Sequence, residues 1–337
     1  MRSEPRSSAR PRAQGSPRSA SSSKPLRSSA GRRDVRRVDP CHQLPYPLFE
    51  RRVMSGSRAL VLGGGGVVGA SWEAGLMDGL RAAGVAVDEA DTVIGTSAGA
   101  LVGACMRTPA ASIDVFTAVD RFRRVLGSGH AGALTALKSL MTNGGVEAVR
   151  DSTAQIVSEQ NYLGVMAVLE GRPWPDGFRC VVTNVDTGEQ EVLDRASGVD
   201  VHRAVTASCS VPLICPPITA GGRRWVDGGL EDMLNAGLAV GHDRVLVVSC
   251  YPLTRADPSN EAVLNGLDGL RATVGKVVTV EPGADLLALA GPDGINVLDG
   301  RLASAAYAAG RKTGAGQADR IAMVWARSGR STPSRRR

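Results

Sequence analysis

From Arg58 onward the chain sets short unbroken apolar runs between stretches whose apolar residues recur at helical spacing. "RALVL" (58–62) reads as a strand and "GGGGVVG" as a loop. "ASWEAGLMDGLRAAG" follows as a helix, with Trp72, Leu76, Leu80 and Ala83 on one face and Gly84 as its stop. "DTVIGTSAGALVGACM" (91–106) again turns from a short apolar strand into a helix. Between Ser112 and about Gly171 strand signals are few, and the segment reads as helical or irregular. Strands resume at "FRCVVTNVD" and "EQEVLD", a pair joined at Thr187-Gly188. "VDVHRAVTAS" has helical spacing, and the proline-rich "VPLICPPI" comes next. "RRWVDGG", "DRVLVVSC" and "KVVTV" are further strands, and "LDGRLASAAYAAGRKTG" (298–314) is a closing helix. Near-continuous Val/Leu/Ile strands between helices indicate an α/β fold with a largely parallel sheet covered on both faces. No internal repeat is present, and one domain over residues 54–327 is the simplest division.

The 337 residues are 43% hydrophobic and 22% charged, enough to bury a sizeable core. Charge changes the picture only at the ends. Residues 1–53 hold 13 Lys/Arg against 4 Asp/Glu, so the +7 of the whole chain becomes −2 over residues 54–337. A basic balance confined to tails argues against a nucleic-acid face built into the fold. The first tail, rich in Ser, Arg and Pro, cannot bury enough surface to order itself, and neither can the basic residues 328–337. An anchoring or targeting arm, a passive tail and a translation start at Met54 are competing accounts of it; the last gives the most compact start. No segment has the apolar core of a secretory signal or a membrane span. Cys41, Cys105, Cys180, Cys209, Cys215 and Cys250 form no C-x-x-C pair and read as reduced, mostly buried thiols. Four scattered histidines make metal catalysis unexpected.

The chemistry lies in two glycine-rich turns. Gly64, Gly66 and Gly69 spell G-x-G-x-x-G after a strand, a pattern that suits a bound pyrophosphate or, through its backbone N–H groups, the transient oxyanion of an ester under attack. Asp88 and Glu89 stand about where a ribose-binding acid belongs, but before an apolar strand and not at a strand's end. "GTSAG" (95–99) matches G-x-S-x-G between a strand and a helix, the setting of a nucleophile elbow; a plain helix cap at Ser97 is the bland alternative. Asp227, in "WVDGG", is the best carboxylate partner for Ser97, although Asp-Gly-Gly is also a common turn. The histidines are poorly placed: His242 reads as a surface residue ahead of a strand, His202 comes in the wrong order, His130 lies in a glycine-rich loop and His42 in the tail. The residues point to a dyad without histidine.

"LVLGGGGVVGASWEAGLMDGL", "IGTSAGALVGA", "ASCSVPLICPPI" and "WVDGGL" occur in the order and approximate spacing of the patatin-like phospholipases, which the chain resembles over about residues 58–250. The resemblance implies a three-layer α/β/α sandwich and hydrolysis of lipid acyl esters without metal or cofactor. It implies Ser97 as nucleophile, Asp227 as its partner and the amides around Gly64, Gly65 and Gly66 as the oxyanion hole. Gly69, Gly95, Gly99, Gly228 and Gly229 complete the motifs. One departure is Val68, where the family usually has Arg or Lys. The expected partner is a lipid or other acyl ester, in the cytoplasm or in transient contact with a membrane surface. The apolar "ALTALKSLM" (Ala133 to Met141) could touch lipid or face the core. A nucleotide-binding protein and a non-catalytic interaction protein on a decayed hydrolase fold are the rivals, and Val68 is the best argument for the second.

Overall fold

The computed structural model describes residues 56–108, 110–127, 135, 157–257 and 260–326. The expectations for both tails, Met54, Cys41, His42 and His130 lie outside these residues, as do those for 133–141 apart from Thr135. The described chain runs β1 (Arg58–Leu62), α1 (Gly66–Ala82), β2 (Thr92–Thr96), α2 (Ala98–Cys105), α3 (Ala111–Leu126) and α4 (Glu159–Val165). A hairpin of β3 (Phe178–Asn184) and β4 (Gln190–Leu193) follows, then α5 (Val201–Ser208), β5 (Ile218–Ala220), β6 (Arg223–Asp227) and β7 (Arg244–Val248). The chain closes with α6 (Glu261–Thr273), β8 (Lys276–Val280), α7 (Ala284–Ala290) and α8 (Ala303–Trp325).

The strands form one sheet in the order β5-β6-β3-β2-β1-β7-β8, with β4 also on β3. Strands β3, β2, β1, β7 and β8 are parallel neighbours, while β4 and β6 pair antiparallel with β3 and β5 pairs antiparallel with β6. Alternation along each strand divides the core. Leu60, Leu62, Val93, Leu246 and Val248 face one cluster with Trp72, Leu76 and Leu80 of α1, Phe122 of α3 and Ile321 of α8. Ala59, Val61, Ile94, Val245 and Val247 face a second with Val263, Leu267 and Leu270 of α6. In-register pairs keep each set on its own side, as Leu60 with Val93 and Val61 with Ile94. The result is the three-layer α/β/α arrangement, with unbroken apolar strands because both faces are dry. No described helix is long and apolar enough to cross a membrane.

Several elements differ from the sequence reading. α8 runs to Trp325, beyond the expected end at Gly314, because Ala318, Ile321 and Trp325 continue its buried stripe. Its glycines are not stops. They let α8 lie backbone to backbone on α1, where a Cβ at Gly310 would collide with the Trp72 carbonyl and one at Gly75 with the Tyr307 carbonyl. α6, α7 and the short β5 were not anticipated; β5 is three residues that exist only by pairing with β6.

This close approach yields a paired test. Gly310→Ala should lower stability by about 1–3 kcal/mol through overpacking. Gly316→Ala, on the same helix with open space around it, should raise it by up to about 1 kcal/mol. Urea denaturation of both variants measures this, and equal shifts would contradict the packing described.

Candidate active site

β2 gives way to α2 with no intervening loop, and the residue at the junction carries the strain. Ser97 has φ 52° and ψ −117°, a region that a non-glycine side chain occupies only when its surroundings impose it. Its flanking glycines make room for the turn. A Cβ at Gly95 would lie 2.6 Å from Ala100 Cα, and one at Gly99 would collide with the Leu62 carbonyl. Hydrogen bonds hold the turn. Ser97 N–H donates to Ser208 Oγ (2.9 Å), which donates to the Val181 carbonyl (2.6 Å). The Cys209 thiol donates to the Ser97 carbonyl (3.1 Å), and Gly99 N–H donates to Gly63 O (3.0 Å), fastening the elbow to the glycine loop.

Asp227 reaches the same point from the other direction. On β3, Val181 is paired with Thr96, the last residue of β2, and the next residue, Val182, is paired with Asp227, the last residue of β6. β4 pairs with Cys180 through Thr183. Because this overlaps the pairings of both β2 and β6, those two strands must share the opposite edge of β3. They run in opposite senses and meet there end to end, so Ser97 and Asp227 emerge together. The Asp227 backbone is pinned by N–H donation to Ser210 O and by the Thr183 hydroxyl on its carbonyl, both 3.0 Å. Its carboxyl accepts from Gly229 N–H (Oδ1, 2.8 Å), and the Ser97 side chain is near enough to favour its charged form. Ser97 and Asp227 are 5% and 6% exposed, which removes most bulk water from the pair.

The glycine loop follows β1, the strand beside β2, so the N-termini of α1 and α2 open on the same edge of the sheet. Both helix dipoles therefore favour negative charge at that edge. Gly63 N–H donates to Val248 O (3.1 Å) and Gly64 N–H to Met233 O (2.8 Å). The Gly65 and Gly66 N–H groups take no acceptor among the described residues. A Cβ at Gly64 would be 2.5 Å from Met233 Cε and 3.5 Å from Ser97 Cβ, and one at Gly229 would be 2.5 Å from Met233 Sδ. The Met233 thioether therefore spans the two glycines that flank the serine and the aspartate.

The family model for patatin-like phospholipases matches residues 60–240, more than half of the chain. The chain belongs to this family. An uncharacterised NTE family protein of Mycobacterium bovis is 31% identical over 199 residues, 59% of this chain and 31% of that relative. A lysophospholipase NTE1 of Phaeosphaeria nodorum is 28% identical over 228 residues, 66% of this chain and 14% of the relative. The chain thus spans under a third of the length of these curated relatives. VipD from Legionella pneumophila aligns with 76% of this chain and 66% of its own, at 13% identity and a TM-score of 0.33.

Within this patatin-like frame, three placements modify the sequence reading. The Gly64 amide is already committed to Met233, which leaves Gly65 and Gly66 as the unengaged donors of the loop. Val68 is 1% exposed and packs in the core, its N–H donating to Val297 O (3.0 Å); a cation there would be buried without solvent. His242 is half-buried and not a surface residue: its Nδ1 lies 2.9 Å from Ala239 O and its Nε2 2.9 Å from Thr92 Oγ1. Thr92 opens β2 whereas Ser97 follows its far end, so His242 sits across the sheet from the serine. His202 is likewise engaged, Nε2 to Leu163 O (2.8 Å). The acids of the nucleotide reading fall on the wrong edge too. Glu89 pairs with Arg58 (3.2 Å), which opens β1, and Asp88 with Arg81 (3.7 Å), at the end of α1 away from the glycine loop.

Sequence reasoning missed the braces: Ser208, Cys209, Met233, Asn235 and Tyr162, whose hydroxyl donates to the Cys209 carbonyl (2.5 Å). Asn235 is in the left-handed region (φ 55°), and its Nδ2 donates to Thr96 Oγ1 (3.0 Å) and Asp232 O (2.7 Å). It ties the end of β2 to the loop after Asp227. Its one sequence signal is the tolerance of Asn for positive φ, too common to single it out.

Burial raises the Asp227 carboxyl to about 6, against the pull of the Ser97 and Gly229 hydrogen bonds. The nearby thiols stay protonated: burial and the Asp227 charge push Cys209 well up, and burial brings Cys180 and Cys215 to about 12. None is a thiolate to compete with Ser97. The raised carboxyl has a consequence for stability. Below about pH 4 Asp227 is protonated in folded and unfolded chains alike, and above about pH 6 it is ionised in both. Ionising the buried group therefore costs the fold stability that is lost as pH rises from about 4 to 6, about 3 kcal/mol in all. Asp227→Asn should gain on the wild type by about that amount between pH 4 and 7. Denaturation across a pH series measures it, and a difference independent of pH would contradict the burial of this charge.

Proposed function

We propose that the chain is a lipid acyl-ester hydrolase that works through a Ser97–Asp227 dyad. The observation that carries this reading is the meeting of a strained, nearly buried serine with a buried carboxyl whose affinity for protons suits a base near neutral pH. Asp227 takes the Ser97 proton as Oγ bonds to the ester carbonyl carbon. The carbonyl electrons move to oxygen, where the unengaged amides of Gly65 and Gly66 and the α1 N-terminus stabilise the charge. When the carbonyl re-forms, the C–O bond breaks and Asp227 passes its proton to the departing alcohol. Water, deprotonated by the same carboxylate, then cleaves the acyl-enzyme and returns the proton to Ser97. No metal or cofactor is needed. Gly64 joins the donors only where the Met233 carbonyl yields its N–H.

The relatives named lysophospholipase NTE1 support single-chain phospholipids as the first substrates to test, met in the cytoplasm or at a membrane surface. The Met233 thioether narrows the space above the dyad, which suits one acyl chain better than a bulky branched ester.

Ser97→Ala and Asp227→Ala should each lower turnover of p-nitrophenyl and lysophospholipid esters by at least about 10³-fold with the fold intact. In the wild type kcat/KM should rise as pH increases through about 6, since the base acts only when ionised. A stopped pH series with both variants decides the matter. Normal turnover by Asp227→Ala, or a flat profile from pH 5 to 8, would remove Asp227 from the mechanism.

A further inference from the structure

Behind the glycine loop lies a carboxyl that the proposed mechanism does not use. Glu73, on the second turn of α1, is 0% exposed, and neither carboxyl oxygen has a hydrogen-bond partner of good geometry. It faces the Cys250 thiol and the Gly63 N–H, whose proton is directed to Val248 O instead (3.1 Å). Burial raises the carboxyl well above the usual range, which favours its neutral form; the Cys250 thiol is raised well above its own range by burial and by Glu73. Leaving such a group unpartnered is unfavourable, and a leucine would fill the space at lower cost.

The position of Cys250 shows what the acid touches in turn. Cys250 follows β7 and is 6% exposed. A Cβ at Gly65 would be 2.6 Å from both its Cβ and its Sγ, and one at Gly69 would be 2.9 Å from Sγ. Gly69 N–H donates to Gly65 O (2.8 Å), and Gly69 stands one helical turn before Glu73. Glu73 thus meets Cys250, and Cys250 packs on Gly65, whose N–H takes no acceptor among the described residues.

We propose that Glu73 is a positioning residue: through Cys250 and the Gly63 amide it sets the placement of the Gly65 N–H, and so the stabilisation of the oxyanion. This rests on the hydrolase reading above. In this role Glu73 is in its neutral form, a polar group that adds no negative charge beneath a developing anion. Its contribution falls on the reacting state and not on substrate binding.

Three variants test it, with ester kinetics beside amide hydrogen exchange of the 63–70 segment. Glu73→Leu should lower kcat roughly 10–100-fold with KM changed less than about twofold, melt no lower than the wild type, and speed exchange in that segment. Glu73→Gln, neutral and nearly isosteric, should stay within about threefold of wild-type kcat. Cys250→Ala should reproduce the kcat loss of Glu73→Leu, and the two together should lose little more than either. This arm does not depend on the Leu variant folding. Wild-type kcat and exchange in Cys250→Ala, or equal losses in the Gln and Leu variants, would overturn the proposal. A wild type without ester turnover sinks the hydrolase reading instead; exchange at 63–70 then still decides whether Glu73 orders the loop.

Discussion

One edge of one strand organises the site. β3 offers its edge to β2 as far as Val181 and to β6 from Val182 onward, and the two guests point at each other. Residues 97 and 227 are remote in sequence, yet one step of register brings them together. A slip of one residue in either pairing would turn that residue to the other face of the sheet. Hairpin β3–β4 on the opposite edge, the Thr183 hydroxyl on the Asp227 carbonyl and the Ser210 carbonyl on its N–H all resist such a slip.

In the proposed mechanism, what the register brings together, burial makes reactive. The sheet edge is closed over by the segment after Asp227, where Met233 covers the glycines and Asn235 returns to the end of β2. With water largely excluded, the carboxyl becomes a stronger base and the N-termini of α1 and α2 act on any negative charge with little screening. The strain at Ser97 belongs to the same arrangement: a serine relaxed into α2 would turn its hydroxyl away from Asp227. Such features are costly to folding, and the large apolar clusters on both faces of the sheet offset them.

The legible parts of this chain are those decided locally. A turn that must reverse sharply needs Gly95 and Gly99, and a strand buried on both faces needs the unbroken "LVL" and "VLVV", so the strand-to-helix junction and the sheet were visible in the local sequence pattern. Most contacts between distant segments were not. Nothing near Gly64 announces that its N–H belongs to Met233, nothing near His242 that it bonds Thr92 at the far end of β2, and β5 has no existence apart from β6. The glycines of α8 misled for the same reason: read along the chain they end a helix, whereas against α1 they permit one. Val68 also changed meaning, from a missing cation at the site to a buried valine of the core.

The most direct measurement is covalent. Treatment with a fluorophosphonate followed by peptide mass mapping reports which hydroxyl is both activated and faced by oxyanion donors. A Ser97–Asp227 dyad predicts a single stoichiometric adduct on Ser97. An adduct on any other residue, or ester turnover that persists with Ser97 unmodified, would contradict it.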